Sequence, residues 1–418
     1  MKTISKKIGF IGLGKLGQPC AEVMSEYYSV DGYDINHVQP SNIRMVDNLS
    51  FLCNEKDIIF IAVPTPHEIE YGGESPCTHL TPKNFDYSIV KSVLSHINKY
   101  VNKRQLVVLI STVLPGTIRK EFLPLAKNYR FIYNPYLIAM GSVKWDMMNP
   151  EMVMIGTSDG SETGDAKELI LFYKPLIKNH ARFVVSTWEE TECIKIFYNT
   201  FISTKICFVN MIQDVAERIG NINTEVVTDA LKYSKQRIIS PMYMTAGMGD
   251  GGGCHPRDNI ALRWLAEDIN LGYDIFGAVM RSREIQACNL ANTLIKLADE
   301  YKFEKIWIHG KSFKPGVEYT HGSYSLLVAH YIVQSNRKVY FVDPLTHDFA
   351  DSIYGVILLA HEASVTYSNS KNPVKRKFYC TFQSGSAVVD PWRRIKQSEV
   401  PNCIVIHYGN TRLNGSVL

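Results

Sequence analysis

The residues best placed to do chemistry lie in Met248-Gly249-Asp250-Gly251-Gly252-Gly253-Cys254-His255-Pro256-Arg257-Asp258. Three glycines directly before a thiol, with a fourth at position 249, serve no packing purpose. Backbone of this kind lets a ligand approach closely, which makes Gly251 and Gly252 candidate substrate contacts. A cation at Arg257 would lower the pKa of Cys254 and raise its thiolate fraction, and Asp258 stands one residue further on. His255 invites a Cys–His dyad or a metal site, but adjacent side chains rarely face each other and no second ligand cluster exists, so no metal is expected. Upstream, Lys195 and Asn199 are spaced i, i+4 and share one helix face. An ammonium and an amide donor aimed together could stabilise an oxyanion, although from spacing alone a solvated helix face is the plainer reading.

A second constellation opens the chain. Gly12-Leu13-Gly14-Lys15-Leu16-Gly17 matches G-x-G-x-x-G, a pattern that is weak alone and stronger between a strand and a helix. Gly12 permits the tight turn, Gly14 lets backbone approach a pyrophosphate, and Gly17 allows close helix–strand packing. Asp34 ends the next strand, 22 positions after Gly12. Its carboxylate would accept hydrogen bonds from ribose hydroxyls and repel a 2′-phosphate, favouring NAD over NADP. Val63-Pro64-Thr65-Pro66 and Ser111-Thr112-Val113-Leu114-Pro115-Gly116-Thr117 end two further strands, on the edge where such sheets bind ligands. Val63, Pro64, Thr65 and Thr112 are therefore candidate cofactor contacts; ordinary loop prolines are the competing explanation.

The elements that must hold these residues are legible as apolar runs. Lys7–Gly12, Tyr28–Asp34, Asp57–Val63 and Leu106–Ser111 read as buried parallel strands, with a helix over Lys15–Glu26. From Glu189 to about Ile219 apolar residues recur at helical spacing, giving a helix of about 45 Å. That is too long to pack on one sheet, and it reads as a spacer between domains or a dimer core. Strands return at Lys305–His309, Lys338–Val342, Gly355–Leu359, Ala387–Val389 and Cys403–His407. Residues 364–386 read as a polar, basic surface excursion. The fold class is α/β: two Rossmann-like doubly wound domains joined by a helical central domain.

Bulk properties exclude other classes. At 418 residues, 45% hydrophobic and 21% charged, the chain is globular and multi-domain. A formal net charge of +4 is too small to imply nucleic acid. Nine scattered cysteines without a C-x-x-C pair argue for a reducing compartment, and eight of the nine are expected to be small buried hydrophobes. The apolar run Ile8 to Leu13 is too short and too broken by glycines for a signal peptide. No stretch approaches the ~20 apolar residues of a spanning helix. A cytoplasmic protein with no membrane partner is expected.

With these pieces in place, the sequence resembles the UDP-glucose/GDP-mannose dehydrogenase family along nearly its whole length. The signatures occur in the family's order: the glycine fingerprint with Asp34, V-P-T-P, S-T-V-x-P-G-T, then Asn134-Pro135…Gly141…Asn149-Pro150 leading to Ile155-Gly156. E-x-x-K-x-x-x-N follows from Glu192 to Asn199, then Arg237, the Gly251–Asp258 loop, Phe313-Lys314-Pro315 and Asp343-Pro344. The resemblance implies an NAD-binding domain at 1–188, a central helical domain at 189–300 that carries the cysteine loop and supports a homodimer, and a nucleotide-sugar-binding α/β domain at 301–418. It also implies a reaction. The C6 alcohol of a nucleotide sugar, by default a UDP-sugar, is oxidised to a uronate through a thiohemiacetal and thioester on Cys254. Lys195 and Asn199 would hold the oxyanion, Asp258 with a water would move protons, and Thr112 joins the catalytic set. Arg237 and Lys314 would meet the nucleotide phosphates, while Tyr136, Leu137 and Arg257 would contact substrate.

The pattern departs from the family around the sugar. Where members usually read N-P-E-F-L-R-E-G, this chain reads Asn134-Pro135-Tyr136-Leu137-Ile138-Ala139-Met140-Gly141, losing two glutamates and an arginine. Tyrosine, with a reference pKa near ~10, is a poor base at neutral pH. The usual arginine after F-K-P is His321, and the N-E pair late in the central helix is Asn210-Met211. Two alternatives follow: the same machinery stopped after one oxidation, or a catalytically weak nucleotide-sugar binder. The retained cysteine, lysine, asparagine and aspartate speak against the second.

Overall fold

A computed structural model of the chain describes residues 6–410 except 67, 69–75, 77–78, 82, 140, 241–244, 251–253, 362–363 and 368–372. The side chains of Cys254, Arg257, Asp258 and Ala261, and of 364–367 and 373–377, also lie outside that description. The chain divides into two compact units, Met1–Ile206 and Cys207–Leu418.

The first unit runs β1 (Lys7–Ile11), α1 (Gly17–Ser25), β2 (Ser29–Tyr33), β3 (Arg44–Met45), α2 (Leu49–Cys53), β4 (Ile58–Ile61), α3 (Ser88–Ile97), β5 (Leu106–Leu109), β6 (Arg130–Tyr133), α4 (Val143–Met148), β7 (Met152–Thr157), α5 (Gly164–Tyr173) and β8 (Arg182–Thr187). Its eight strands lie in the order β3-β2-β1-β4-β5-β6-β7-β8. All pairs are parallel except β6 with β7. Alternate strand residues feed two separate cores. Ile8, Phe10, Phe60 and Val108 face one, and Ile11, Ile59, Ile61 and Leu109 the other. Burial on both faces is why the strands read as unbroken apolar runs. The strands stop one to two residues short of those runs: Ala62 and Ile110 make the last bonds to the Ile11 and Ile61 carbonyls, and with Val63 and Ser111 they line a cleft. Likewise α1 begins at Gly17 rather than Lys15, since residues 14–16 make the preceding turn.

Helix α6 (Trp188–Ile219) has 32 residues, close to the expected span, and acidic Glu189 and Glu190 in its first turn suit the positive end of the helix dipole. The second unit continues with α7 (Thr224–Lys232), α8 (Cys254–Asp268) and α9 (Ile275–Glu300), and then a sheet domain. That domain comprises β9 (Ile306–His309), α10 (Tyr324–Gln334), β10 (Val339–Val342), β11 (Ser352–Ile353), β12 (Val356–Leu359), β13 (Ser364–Tyr367), β14 (Pro373–Lys377), β15 (Thr381–Phe382), β16 (Ala387–Asp390) and β17 (Ile404–His407). In its five-stranded parallel sheet, β10-β9-β12-β16-β17, the order of winding reverses between β9 and β12 as in a doubly wound fold. The excursion at 364–386 is built on strands: β13 pairs antiparallel with β14, and β15 pairs with β11.

Candidate functional site

The C-terminal edge of β1, β2, β4 and β5 opens into a cleft of 530 Å³. Gly12, Gly14, Lys15, Leu16, Gly17, Asp34, Val63, Pro64, Thr65, Thr112, Tyr136 and Lys195 all line it. Leu13 is the exception: its side chain is buried in the core, and its backbone N–H donates to Asp34 Oδ2 at 2.7 Å. The three glycines are required for three different reasons. Gly12 has φ +90°, and a Cβ there would stand 2.6 Å from the Ala62 carbonyl oxygen. A Cβ on Gly17 would stand 1.9 Å from the Gly12 carbonyl oxygen. A Cβ on Gly14 would meet nothing within 4 Å, so this glycine leaves room for a ligand rather than for protein. Open space over a strand–turn–helix fits a dinucleotide pyrophosphate.

Asp34 also accepts from the Asn36 N–H at 2.8 Å through Oδ1, which fixes its carboxylate at the cleft rim. Oδ1 also takes the Asn36 side-chain amide at 3.2 Å, so it is Oδ2 that keeps a second lone pair for a ribose hydroxyl. Asp34→Ala is therefore expected to weaken NAD binding about tenfold, the scale of one charge-assisted hydrogen bond, and to narrow the preference over NADP. Titration with both dinucleotides checks this; unchanged selectivity would remove Asp34 from the ribose. The two proline turns brace each other: Ser111 Oγ donates to the Val63 carbonyl at 2.6 Å, and Thr65 Oγ1 to the Thr112 carbonyl at 2.8 Å.

Lys195 lines this cleft and also a second one of 540 Å³, which it shares with Asn199, Leu137, Ile138, Glu151 and Tyr198. Its ammonium donates to the Tyr136 carbonyl at 2.7 Å, and burial holds its pKa below the ordinary lysine value. Asn199 is exposed, one turn along the same helix. Tyr136 itself turns away from the chemistry. Its hydroxyl meets that of Tyr173 at 2.7 Å, Tyr173 donates to Asn134 Oδ1, and burial raises the Tyr136 pKa well above the phenol value. Only its backbone carbonyl is offered to Lys195. The carboxylates of the second cleft are Asp146 and Glu151, which sequence reasoning did not single out. Asp146 accepts from the Ala139 N–H at 2.9 Å, and Glu151 from the Tyr198 hydroxyl at 2.6 Å. Glu151 directly follows the Asn149-Pro150 signature, which was the available signal.

In the second unit, α8 starts at Cys254. Gly251 and Gly252, and the side chains of Cys254, Arg257 and Asp258, lie outside the described residues. The segment before them is pinned. Arg393 donates to the Ala246 carbonyl at 2.7 Å and Arg283 pairs with Asp250; against the expectation that it serves no packing purpose, Gly249 is packed so closely that a Cβ there would stand 2.1 Å from the Tyr324 ring. Arg237 is exposed just beyond α7, and exposed Lys314 has its ammonium 5.3 Å from the Phe313 ring centre. Asp343 is fully buried; its Oδ2 accepts from the Lys311 and Ser312 N–H groups and the Ser312 hydroxyl. Among the described residues no group of three His, Cys, Asp or Glu could hold a metal ion, and no helix is long and apolar enough to cross a membrane.

Comparison with known proteins places these features in a family context. The NAD-binding-domain model of the UDP-glucose/GDP-mannose dehydrogenase family matches residues 35–177, and that family's central-domain model matches residues 189–284. UDP-glucose 6-dehydrogenase from Rickettsia prowazekii (strain Madrid E) is 28% identical over 337 residues, covering 80% of this chain and 72% of that protein. UDP-glucose 6-dehydrogenase TuaD from Bacillus subtilis (strain 168) is 27% identical over 325 residues, covering 76% and 66%. Among solved structures, a ternary complex of GDP-mannose dehydrogenase from Pseudomonas aeruginosa shares the fold with a TM-score of 0.74 at 20% identity. The match covers 95% of this chain and 99% of that one.

Proposed function

The chain belongs to the UDP-glucose/GDP-mannose dehydrogenase family and is an NAD-dependent nucleotide-sugar dehydrogenase, and on that premise we propose that it oxidises the C6 alcohol of a UDP-sugar to the uronate through Cys254. One observation supports this above the others: Lys195 lines both the dinucleotide cleft and the neighbouring one. A group that polarises an alcohol oxygen while hydride leaves its carbon must reach the cofactor side and the sugar side together. NAD, held by the glycine turn, Asp34 and the two proline turns with Thr112, supplies the hydride acceptor.

The remaining chemistry belongs to the chain. Lys195 and Asn199 hold the developing oxyanion. The Cys254 thiolate adds to the aldehyde carbon, giving a thiohemiacetal; a second oxidation makes the thioester, and water releases the uronate. Asp258 and a bound water move the protons. Arg237 and Lys314 take the nucleotide phosphates, while Leu137, Gly251, Gly252, Arg257 and the backbone of Tyr136 border the sugar. The chain works as three parts, 1–188, 189–300 and 301–418. It forms a cytoplasmic homodimer through the α6 region, where Phe197 and Phe201 are 63% and 53% exposed, an apolar display that suits a second copy.

A single-oxidation reading gains support from Tyr136, whose hydroxyl is spent on Tyr173 where relatives usually carry a glutamate. NADH formed per sugar consumed, across UDP-, GDP- and dTDP-sugars, separates the readings. Two NADH per UDP-sugar, with turnover abolished in Cys254→Ser, is the expected result. One NADH per sugar would replace the uronate by the aldehyde level, and tight sugar binding without any NADH would leave only a binder.

A further inference from the structure

Glu192 is fully buried and none of the proposed steps uses it. It lies one turn before Lys195 on α6. One carboxylate oxygen accepts the Gly116 N–H at 2.5 Å and the other the Ile118 N–H at 2.8 Å. Gly116 turns with φ +87°, which delivers both amides to the same side chain. The loop they belong to is also fastened at its start, where Thr112 lines the dinucleotide cleft and its carbonyl receives the Thr65 hydroxyl. From the side, the Tyr87 hydroxyl accepts the Leu114 N–H at 3.0 Å.

A buried carboxylate is a costly way to staple a loop, because desolvation of the charge opposes it. Arg119 relieves that cost only in part, since it is paired with Glu189. A neutral side chain would hold a helix to a loop with less penalty. What the carboxylate alone offers is two acceptor oxygens for two converging N–H groups at a fixed separation. We infer that Glu192 is a positioning residue that locks the 112–118 loop to the turn of α6 carrying Lys195, so that the cofactor-facing Thr112 and the oxyanion-facing lysine keep one register. This rests on the reading of Lys195 as the oxyanion donor, whereas its effect on the cofactor edge does not.

The lock has a built-in sensitivity to acid. Burial raises the Glu192 pKa to about 7, helped by Glu189 and opposed by the two amides and Arg119. Other titratable groups on the packed elements are Tyr133 of β6, Tyr87 before α3, and Cys193 of α6; burial pushes the Tyr133 and Cys193 pKa values up, so neither titrates near neutrality. Protonation removes the charge and turns one oxygen into a hydroxyl, which leaves one of the two N–H groups facing a weaker, neutral acceptor. Glutamine imitates that protonated form at every pH.

The test is NAD binding without sugar, measured by calorimetry at pH 6 and pH 8 for wild type and Glu192→Gln, with a melting curve for each. Wild-type affinity is expected to fall up to about tenfold from pH 8 to pH 6, one decade being the scale of a single pKa unit. The variant should bind at both pH values as the wild type does at pH 6. Parallel pH curves for the two proteins, or wild-type affinity in the variant at pH 8, would overturn the inference and leave Glu192 a staple. Should Glu192→Gln fail to fold, amide exchange at Gly116 and Ile118 in the wild type decides: protection weaker at pH 6 than at pH 8, after correction for intrinsic rates, supports the lock, and equal protection overturns it. Neither measurement needs sugar turnover, so failure of the uronate reaction would be seen separately.

Discussion

Lys195→Ala should lower kcat by about 10²–10³-fold, the scale of removing one oxyanion donor, while NAD binding changes little. The two effects separate because the glycine turn and Asp34, proposed to fasten the dinucleotide, make no contact through this ammonium. In the resting protein the ammonium is held by the Tyr136 carbonyl at 2.7 Å, so it is already aimed when an alcohol oxygen replaces that partner. Burial also fixes the sign of its pH dependence. It disfavours the charged form and lowers the pKa. Activity that needs the ammonium is therefore full below that pKa and lost as pH rises through it, at lower pH than a free lysine would give. Lys195→Arg carries a charge that cannot be titrated away in this range. It should lose the alkaline limb even if its kcat is reduced. Steady-state NADH formation from pH 6 to 10 checks both variants, and a kcat for Lys195→Ala within threefold of wild type would take the lysine out of the reaction.

How far the site could be read from sequence depends on how local its causes are. The turn and the helix packing of the glycine fingerprint were legible, since the positive φ of Gly12 and the contact of Gly17 with the Gly12 carbonyl lie within six residues, whereas the Ala62 carbonyl that also excludes a side chain at Gly12 does not. The strands were legible because both faces are buried, though their ends were not: Ala62 and Ile110, just past the ends of β4 and β5, are as apolar as the residues inside them. Tyr136 was read as a lost glutamate. That it turns into the core depends on Tyr173 and Asn134, of which the first is 37 positions away on α5, and no pattern in the loop encodes that partner. Glu192 lay in a motif, but its amides are 76 and 74 positions upstream. The second sheet shows the same limit. Asp343 follows β10 as Asp34 follows β2, and both carboxylates catch the backbone of the neighbouring loop. Yet Asp34 stays open to the cleft while Asp343 is sealed by its own loop and hydroxyl. The sealed carboxylate has no room for a ribose hydroxyl.

Gly14→Ala and Gly17→Ala, three positions apart, should fail in opposite ways. At Gly17 the new methyl would fall 1.9 Å from the Gly12 carbonyl oxygen and 3.2 Å from the Phe10 ring. One of those neighbours is backbone at the tightest turn of the sheet, so α1 must move off β1. Overpacking of this kind costs about 1–3 kcal/mol or more, and a melting point lower by roughly 2–10 °C is expected for a domain of this size. At Gly14 the methyl meets no protein atom within 4 Å, so the melting curve should stay within about a degree of wild type. It stands instead where the pyrophosphate must come close to the backbone. The expected loss is about 10–100-fold in NAD affinity, or roughly 1.4–2.8 kcal/mol. Melting curves paired with NAD titrations distinguish the two, and the assignment of the cleft depends on the contrast. A Gly14→Ala protein that folds and binds NAD like the wild type would mean that the open space over this turn is not where the phosphates lie.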